Sequence, residues 1–413
     1  MELILEVPLL CVASLFLCKV LWDIISKKIS TLSFLYIIFY IFYILPMVYT
    51  FNNKNIFYNL YNYSYSFYDE MSVIVSLVIN FVVVLFFIFN YKVVKIDVDI
   101  NFKNKGIIYL CRLILFIVVI GILFLILKSP DPSVYLAYGS VISEYNPILK
   151  EYHSTVAMMC RLLIFVAAIN FLFLDRSKLS YIFYIVLAFI ACWIGAKRSF
   201  VAYSLLILLL SLFFSFNFSP KKILNISLLS IIFFISYTNY YQNNVRDFGG
   251  KSSQEKIENI LIDYSRLQNE RYVIFNLVNN KPIVPYYGAS FIYNIGFYVP
   301  RALWSEKPYP YAVYYTNSFF NIEDVDDRLK WGLTTGLLDE LLANFYWLGI
   351  FLYLLLIKIF VNYNDKYING LSGLVGIVVG CLMLIVHFAA FSYIFILWLT
   401  ILFFTKKRRQ KTK

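Results

Sequence analysis

Residues 71–90 read MSVIVSLVINFVVVLFFIFN, a stretch without a single charged side chain. A helix needs roughly 20 apolar residues to cross the hydrocarbon core of a bilayer, so this stretch is long enough to span a membrane. Comparable apolar windows recur along the chain, at about 4–22, 31–50, 107–127, 156–174, 180–196, 199–218, 223–240, 341–360, 371–387 and 389–404. The sequence therefore predicts an all-α fold, a polytopic transmembrane helix bundle of about eleven spans.

The composition of the 413-residue chain agrees with this prediction. Hydrophobic residues make up 61% of the chain, aromatic residues 20% and charged residues only 15%, and the mean hydropathy is +0.73. Soluble domains are about one quarter charged, so lipid is expected to solvate most of this chain.

The net charge is +12, from 36 lysines and arginines against 24 acidic residues. Nucleic-acid-binding proteins show such a balance, but here many of the cations lie in short segments between apolar windows, which is the positive-inside pattern of membrane proteins. We therefore expect membrane lipid, and no nucleic acid, as a partner. With the basic segments in the cytoplasm, the N-terminus is predicted outside, within a retained first span, and the C-terminus inside.

One segment, residues 241–330, interrupts the series of apolar windows. It separates a predicted bundle of the first eight spans, 1–240, from the last spans and their basic cytoplasmic tail, 331–413. The alternation of sides places this segment outside, as one large extracytoplasmic loop. Loops of this length are usually functional or disordered.

The first half of this loop has a helical pattern. A Ser-x-x-Glu capping box at 252–255 precedes apolar residues at helical spacing, which predicts an amphipathic helix over about 253–278, lying across the outer face of the bundle. Arg266 and Arg271 have acidic neighbours at helical spacing, so solvated ion pairs are expected there.

Motifs of soluble enzymes are absent from the sequence. It contains no Walker A loop, GxGxxG turn, HExxH or GxSxG motif, and its six cysteines are scattered, so neither a cofactor nor a metal is expected. His153 is expected to be exposed in a loop, and His387 to pack or to lie at the interface. A solvated turn, rather than a metal site, is expected for the acidic group Glu323, Asp324, Asp326 and Asp327.

Three cations lie close to predicted outer membrane boundaries. Lys197 and Arg198 form a very short outer turn between two apolar windows, against the positive-inside trend. They either anchor the chain at the membrane interface or bind a lipid diphosphate, because a guanidinium group can form paired hydrogen bonds with phosphate oxygens. Arg161 lies about one turn inside a span, where it can snorkel to the surface or face an anion.

The long loop adds further candidate binding residues. Arg246 follows the eighth span, as a juxtamembrane anchor or as part of an anion site. Arg301 and Lys307 flank Trp304 in a segment rich in proline, tyrosine and tryptophan. Cations among aromatic rings can hold a sugar or a lipid diphosphate, and they also anchor chains at a membrane interface.

Asp339 and Glu340 stand where the loop re-enters the membrane, just before window 341–360. A partly desolvated carboxylate at that place is expected to have a raised pKa, which suits it to proton transfer. Asn344 follows Glu340 by four residues and so shares its helix face. The alternative is a pair of acids favoured at a helix N-terminus by the helix dipole.

Three features together resemble the Wzy-type oligosaccharide repeat-unit polymerases, the O-antigen polymerases of bacterial envelopes. One is the set of about eleven spans with one dominant outer loop before the last few. Another is the turn Gly195-Ala196-Lys197-Arg198-Ser199, which is similar to a Gly-x-Lys/Arg-Arg-Ser motif. The third is the segment 339–349, DELLANFYWLG, which is similar to the acidic–Asn–Phe–x–x–x–Gly pattern of that family.

The resemblance implies a substrate and a location. Such proteins work at the periplasmic face of the bacterial inner membrane on repeat units linked to undecaprenyl diphosphate. They move the growing chain onto the next unit to make O-antigen or capsular polysaccharide. The departing diphosphate makes ATP unnecessary, and no metal is expected. A chain-length regulator and a flippase are the protein partners that it implies.

Mapped onto this chain, the resemblance assigns two roles. Arg198 is the first choice to hold the diphosphate, with Glu340 as the base that takes the proton of the acceptor hydroxyl and Asp339 as the next candidate base. Further substrate-binding candidates are Arg161, Lys197, Arg246, Arg301, Trp304 and Lys307.

Other functions remain open at this point. An O-antigen ligase shares the layout, but that family relies on a histidine in its large outer loop and residues 241–330 contain none. A flippase of lipid-linked oligosaccharide is expected to carry charges through the middle of its spans, and the apolar windows here are nearly free of them. A chain-length regulator or another structural membrane protein would have fewer spans.

Overall fold

The structure is a computed structural model that describes residues 2–52, 61–95, 105–139, 147–175, 177–215, 220–245, 253–296, 299, 303–322, 329 and 332–411. Within these ranges the fold is all-α, apart from one short antiparallel pairing of β1 (Lys28–Ile29) with β2 (Val94–Lys95). Arg246, Arg301 and the acidic group at 323, 324, 326 and 327 lie outside the described residues.

The α-helices, numbered in chain order, are α1 Glu2–Ile25, α2 Thr31–Phe39, α3 Leu45–Asn52, α4 Tyr61–Tyr68, α5 Glu70–Asn90, α6 Lys105–Leu127, α7 Pro147–Ala167, α8 Lys178–Gly195, α9 Arg198–Ser215, α10 Pro220–Asn244, α11 Ser253–Tyr264, α12 Leu267–Val278, α13 Ala289–Ile295, α14 Tyr311–Phe319, α15 Leu337–Phe345, α16 Leu348–Asn364, α17 Leu371–Ile385 and α18 Ser392–Lys411. The π-helical segments are Tyr40–Ile44 and Ala168–Asp175, and the 3₁₀ segments are Pro132–Tyr135, Asp365–Tyr367 and Phe388–Ala390.

Six helical stretches of the described chain are long and apolar enough to cross a membrane, namely Ile4–Ile25, Thr31–Thr50, Glu70–Asn90, Ile108–Leu127, Tyr152–Asp175 and Leu348–Tyr367. Shorter apolar helices cover Leu179–Gly195, Arg198–Leu212, Leu371–Ile385 and Ser392–Phe403. The all-α class and the membrane-compatible helices are thus confirmed, while the count of about eleven spans and the sidedness of the long loop stay predictions.

The chain folds into two compact units. The first comprises residues 1–96, 252–368 and 375–395, and the second comprises 97–251, 369–374 and 396–413.

In the first unit, the predicted helix 253–278 is two helices, α11 and α12, separated at Ser265 and Arg266. The Ser265 hydroxyl accepts a hydrogen bond from the backbone N–H of Leu267 (3.1 Å), and the backbone N–H of Arg266 donates to the carbonyl of Phe42 (2.8 Å). Phe42 lies in the π-helical turn Tyr40–Ile44 of a spanning stretch. The break therefore exists because the chain bonds to a distant helix at this point.

Helix α12 belongs to the interior of the first unit. Nearly all of its side chains are buried, and it packs against α4, α5 and α15. Its Glu270 reaches Asn80, which stands at the middle of the span Glu70–Asn90.

The predicted window 341–360 is also divided, into α15 and α16, by a turn at Tyr346 and Trp347. Tyr346 has a positive φ of 54°. A Cβ on Gly349 would come within 2.4 Å of the Leu341 carbonyl oxygen, so the close return of the chain requires glycine there. The short helix α15 thereby becomes a separate, buried element that carries Asp339 and Glu340.

In the second unit, helices α8 and α9 are joined by the two residues Ala196 and Lys197. Ala196 ends α8 in the left-handed conformation, with φ 47° and ψ 35°. A Cβ on Gly195 would clash with the ring of Phe200, at 2.0 Å, so glycine lets the two helices approach closely. The tight turn expected between windows 180–196 and 199–218 is therefore present.

Candidate functional site

Three acidic side chains of the first unit are almost completely inaccessible to solvent. Glu270 and Asp339 are 0% exposed and Glu340 is 1% exposed. Acidic residues are almost never fully buried unless they are paired, so three of them in one unit mark a specialised place.

Glu340 is held through one of its two oxygens. Its Oε1 accepts hydrogen bonds from the Ser290 hydroxyl (2.7 Å) and from the Asn294 amide (3.4 Å). Ser290 is fixed in turn by Asn344, whose Nδ2 donates to its hydroxyl (2.9 Å). The other oxygen, Oε2, is buried and has no hydrogen-bond partner among the described residues.

Burial raises the pKa of Glu340 to about 7, against the lowering effect of the hydrogen bonds from Ser290 and Asn294. A carboxyl group with a pKa near neutrality, one oxygen fixed and the other unpartnered is suited to take a proton. Asp339 and Glu340 are buried, as expected for desolvated carboxyl groups.

Asp339 has a different arrangement. Its Oδ1 accepts a hydrogen bond from the backbone N–H of Gly336 (2.8 Å), which caps the start of α15. Burial raises the pKa of Asp339 to about 8, Arg266 lowers it by charge, and Glu340 adds to the rise. Its Oδ2 is buried and without a hydrogen-bond partner in the described part of the chain.

Glu270 is bound by the span α5. The Asn80 amide donates to both of its oxygens (2.9 Å each), and the Ser76 hydroxyl donates to Oε1 (3.0 Å). Burial raises the pKa of Glu270 to about 7, against the effect of those two donors and of Arg271.

The two arginines of this segment are buried, so the expectation of solvated ion pairs is wrong. Arg266 donates to the backbone carbonyls of Ile385 (2.9 Å) and Ser265 (2.9 Å). Arg271 donates to the Phe67 carbonyl (3.2 Å), and its guanidinium lies 4.2 Å from the centre of the Phe67 ring. Oppositely charged residues three or four positions apart have the same spacing on a solvated helix face as on a buried one. The spacing of the charges therefore could not show that these two arginines are buried.

Three tyrosine hydroxyls complete this group, which we call the acidic cluster: Glu270, Asp339 and Glu340 with Tyr43, Tyr311 and Tyr353. The three tyrosines are fully buried. Among the described residues no hydrogen-bond partner lies near their hydroxyl groups. A Cβ on Gly336 would come within 2.9 Å of both the Tyr43 hydroxyl and Asp339 Oδ1, so these two oxygens converge on one point.

In the second unit, cationic side chains gather at the turn between α8 and α9. Arg198 is 7% exposed and lies 5.1 Å from the ring centre of Tyr241, whose hydroxyl donates to the Ala196 carbonyl (3.1 Å). The guanidinium of Arg161 lies 5.3 Å from the ring centre of Phe200. Arg198 and Arg161 are thus packed on aromatic rings instead of extending into solvent, as an interfacial anchor would.

Lys197 directly precedes Arg198 in the turn, and Arg161 of α7 is near enough to act on its charge. Burial and the nearby charge of Arg161 lower its pKa to about 8. His153 is 5% exposed, with its ring 5.8 Å from that of Tyr135, so the expectation of an exposed loop histidine is wrong. Positive side chains held together in a partly desolvated place attract an anion.

An apolar cavity of about 590 Å³ lies in the same unit, among helices α8, α9 and α10. Tyr237 lines it and lies 6.3 Å, ring centre to ring centre, from Tyr241, the residue beneath Arg198. Other lining residues include Tyr184, Phe189, Trp193, Leu208 and Phe233.

The remaining candidates of the long loop are placed differently. The Lys307 ammonium donates to the Val299 carbonyl (2.9 Å) and lies 4.8 Å from the ring centre of Tyr293, so it holds its own loop together. Trp304 is half-buried against Gly296, where a Cβ would meet its ring at 2.5 Å. His387 precedes the 3₁₀ segment Phe388–Ala390 and is half-buried, as a packing or interfacial role predicts.

Sequence reasoning missed Glu270 and its partners. The only signal was the pair Ser76 and Asn80, two polar residues one helical turn apart within an otherwise apolar window. Within the described ranges, no three His, Cys, Asp or Glu side chains are grouped so as to hold a metal ion. No family model, curated protein or solved structure matches this chain.

Proposed function

We propose that this chain is a polysaccharide polymerase of the bacterial inner membrane. It joins oligosaccharide repeat units carried on undecaprenyl diphosphate at the periplasmic face. The observation that carries the proposal is Glu340, a buried carboxyl group with one oxygen fixed by Ser290 and the other unpartnered.

The reaction needs a base and an anion site. The C–O bond between the donor sugar and its diphosphate breaks, a C–O bond to the acceptor hydroxyl forms, and the hydroxyl proton leaves. Glu340 takes this proton, because its pKa near 7 leaves much of it ionised and still basic at neutral pH. Asp339 is the second candidate, since one of its oxygens already caps α15.

The charge that grows on the departing diphosphate needs cations. Arg198 is assigned this role, with Lys197 and Arg161 beside it, because the three lie together at the turn between α8 and α9. Arg246, Arg301 and Trp304 remain candidates for substrate binding. Lys307 is the weakest of them, since its ammonium group already bonds the Val299 carbonyl.

The topology belongs to the proposal as well. We propose with it about eleven spans, an outside N-terminus, a cytoplasmic C-terminus and a periplasmic segment 241–330, in line with the positive-inside distribution of the cations. A chain-length regulator and a flippase are the protein partners proposed with it.

A transport function is the second candidate, because of one observation. The hydrogen bond between Glu270 and Asn80 places a carboxyl group at the level of the middle of a span, where charges usually serve ion or substrate pathways. The sequence alone had counted against a flippase on the ground that such charges were missing.

A gene deletion complemented with variants tests the proposal. In an O-antigen system, loss of a polymerase leaves surface core with a single repeat unit, whereas loss of a flippase or ligase leaves no attached unit. We expect Glu340→Gln to give the single-unit pattern, and Glu306→Gln, at an exposed acid, to restore full-length polymer. A full ladder with Glu340→Gln, or a deletion strain with no attached unit, would contradict the proposal.

A further inference from the structure

The side-chain amide of Asn344 has its orientation fixed by two backbone groups. Asn344 and Ser290 are both completely buried. Asn344 Nδ2 donates to the backbone carbonyl of Glu340 (2.7 Å), and Asn344 Oδ1 accepts from the backbone N–H of Ser290 (3.3 Å). Because a carbonyl oxygen can only accept and a backbone N–H can only donate, the nitrogen and the oxygen of this amide cannot be exchanged.

The orientation of this amide sets the direction of the next hydrogen bonds. Asn344 Nδ2 also lies 2.9 Å from the Ser290 hydroxyl oxygen, and an amide nitrogen can only donate to it. The single hydrogen of the Ser290 hydroxyl is then left for Glu340 Oε1, at 2.7 Å. The bonds therefore run in one direction, from Asn344 through Ser290 to the carboxyl group.

The two oxygens of Glu340 differ as a result. Oε1 accepts from the Ser290 hydroxyl and also from the Asn294 amide (3.4 Å). Oε2 is buried and has no hydrogen-bond partner among the described residues. A proton on Oε1 would face those two donors, whereas a proton on Oε2 leaves both hydrogen bonds in place.

We propose that Asn344 is a positioning residue: it orients the Ser290 hydroxyl toward Glu340 Oε1, so that Glu340 takes up its proton at Oε2. An O–H bond forms at Oε2, Oε1 becomes the carbonyl oxygen, and the negative charge of the carboxylate is lost. That the proton comes from an acceptor hydroxyl rests on the proposed function, whereas the direction of the hydrogen bonds does not.

Infrared spectra of the purified full-length protein in detergent test the choice of oxygen without any substrate. Protonated Glu340 gives a C=O absorption, identified as the band that Glu340→Gln removes. With the proton on Oε2, the C=O group is at Oε1 and accepts the hydrogen bond of Ser290, which lowers its frequency. Ser290→Ala is therefore expected to move the band to higher frequency. A band that keeps its frequency in Ser290→Ala would overturn the proposal.

The pH midpoint of the same band tests the role of Asn344. Asn344→Ala lets the Ser290 hydroxyl turn away from the carboxylate, which loses a donor, so the midpoint is expected at higher pH than in the wild type. The double variant Asn344→Ala/Ser290→Ala is expected to have the midpoint of Ser290→Ala alone, because Asn344 acts through that hydroxyl.

Asn317→Ala is the matched control. Asn317 is buried in the same unit, and its amide likewise donates to the carbonyl four residues earlier, that of Val313 (2.7 Å), and accepts from a distant backbone N–H, that of Leu329 (2.8 Å). Its loss removes similar bonds away from the Ser290 hydroxyl, so the midpoint is expected to stay in place.

Three results for the midpoint would each contradict the proposed role of Asn344. They are an unchanged midpoint in Asn344→Ala, a double variant whose shift is the sum of the two single shifts, and an equal shift in Asn317→Ala. Asp339 and Tyr311, which interact electrostatically with Glu340, are present in every variant compared. If Glu340→Gln still polymerises, the proposed function fails while the infrared results stand, so the two failures can be told apart.

Discussion

Replacing Ser290 by alanine perturbs the proposed base through a single hydrogen bond. The Ser290 hydroxyl donates to Glu340 Oε1 at 2.7 Å and stabilises the ionised form. A hydrogen bond to a charged group is worth about 1.5–3 kcal/mol, and about 1.4 kcal/mol corresponds to one pH unit in a pKa. Ser290→Ala is therefore expected to raise the pKa of Glu340, now about 7, by about one to two pH units.

The assay is the pH dependence of polymerisation by the purified protein. A base must be ionised to act, so the rate rises with pH through the pKa of Glu340, and the midpoint of this rise moves to higher pH in Ser290→Ala. Ser318→Ala is the matched control, because it removes a hydrogen bond of similar length, to the Tyr272 hydroxyl (3.0 Å), in the same unit. An unchanged midpoint, or a shift to lower pH, would refute the reasoning.

Three further perturbations follow from the structure. Asn80→Leu removes both hydrogen bonds that the Asn80 amide donates to buried Glu270, and it is expected to destabilise the protein by about 3 kcal/mol or more in detergent unfolding. Asn90→Leu, which loses only a bond to the Phe86 carbonyl, is expected to change this free energy little. Gly349→Ala is expected to lower the same unfolding free energy, because its Cβ would meet the Leu341 carbonyl oxygen at 2.4 Å. Arg198→Ala is expected to weaken binding of the lipid-diphosphate donor about tenfold or more, and Arg198→Lys to restore only part of it; equal affinities by fluorescence binding would count against the anion site.

The apolar windows predicted the helices because side chains that face lipid must be apolar. A stretch such as 71–90 must be apolar along its length to be stable in a bilayer, and that requirement can be read without knowing any neighbour. Asp339 and Glu340 were singled out because they precede the predicted window 341–360. The structure places them on the separate buried helix α15, ahead of the candidate span Leu348–Tyr367.

The placement of α12 could not be read, because its causes lie far away in the chain. The helix ends and restarts at Arg266 because its N–H bonds Phe42, and Glu270 is buried because Ser76 and Asn80 supply its donors. Phe42, Ser76 and Asn80 are all far from α12 in the sequence, so patterns of nearby residues cannot reveal these hydrogen bonds. Charged residues at helical spacing therefore suggested a solvated face where the structure has an interior one.

Glu340 is proposed as the base of a glycan-polymerising reaction. Its most direct test is reconstitution of the purified protein in liposomes with one lipid-diphosphate-linked repeat unit, followed by measurement of product length. The account predicts long products with the wild type and a rate lower by about 10²–10⁴ with Glu340→Gln, the usual contribution of a general base. Wild-type rates with Glu340→Gln, or no chain growth with the wild type, would contradict it.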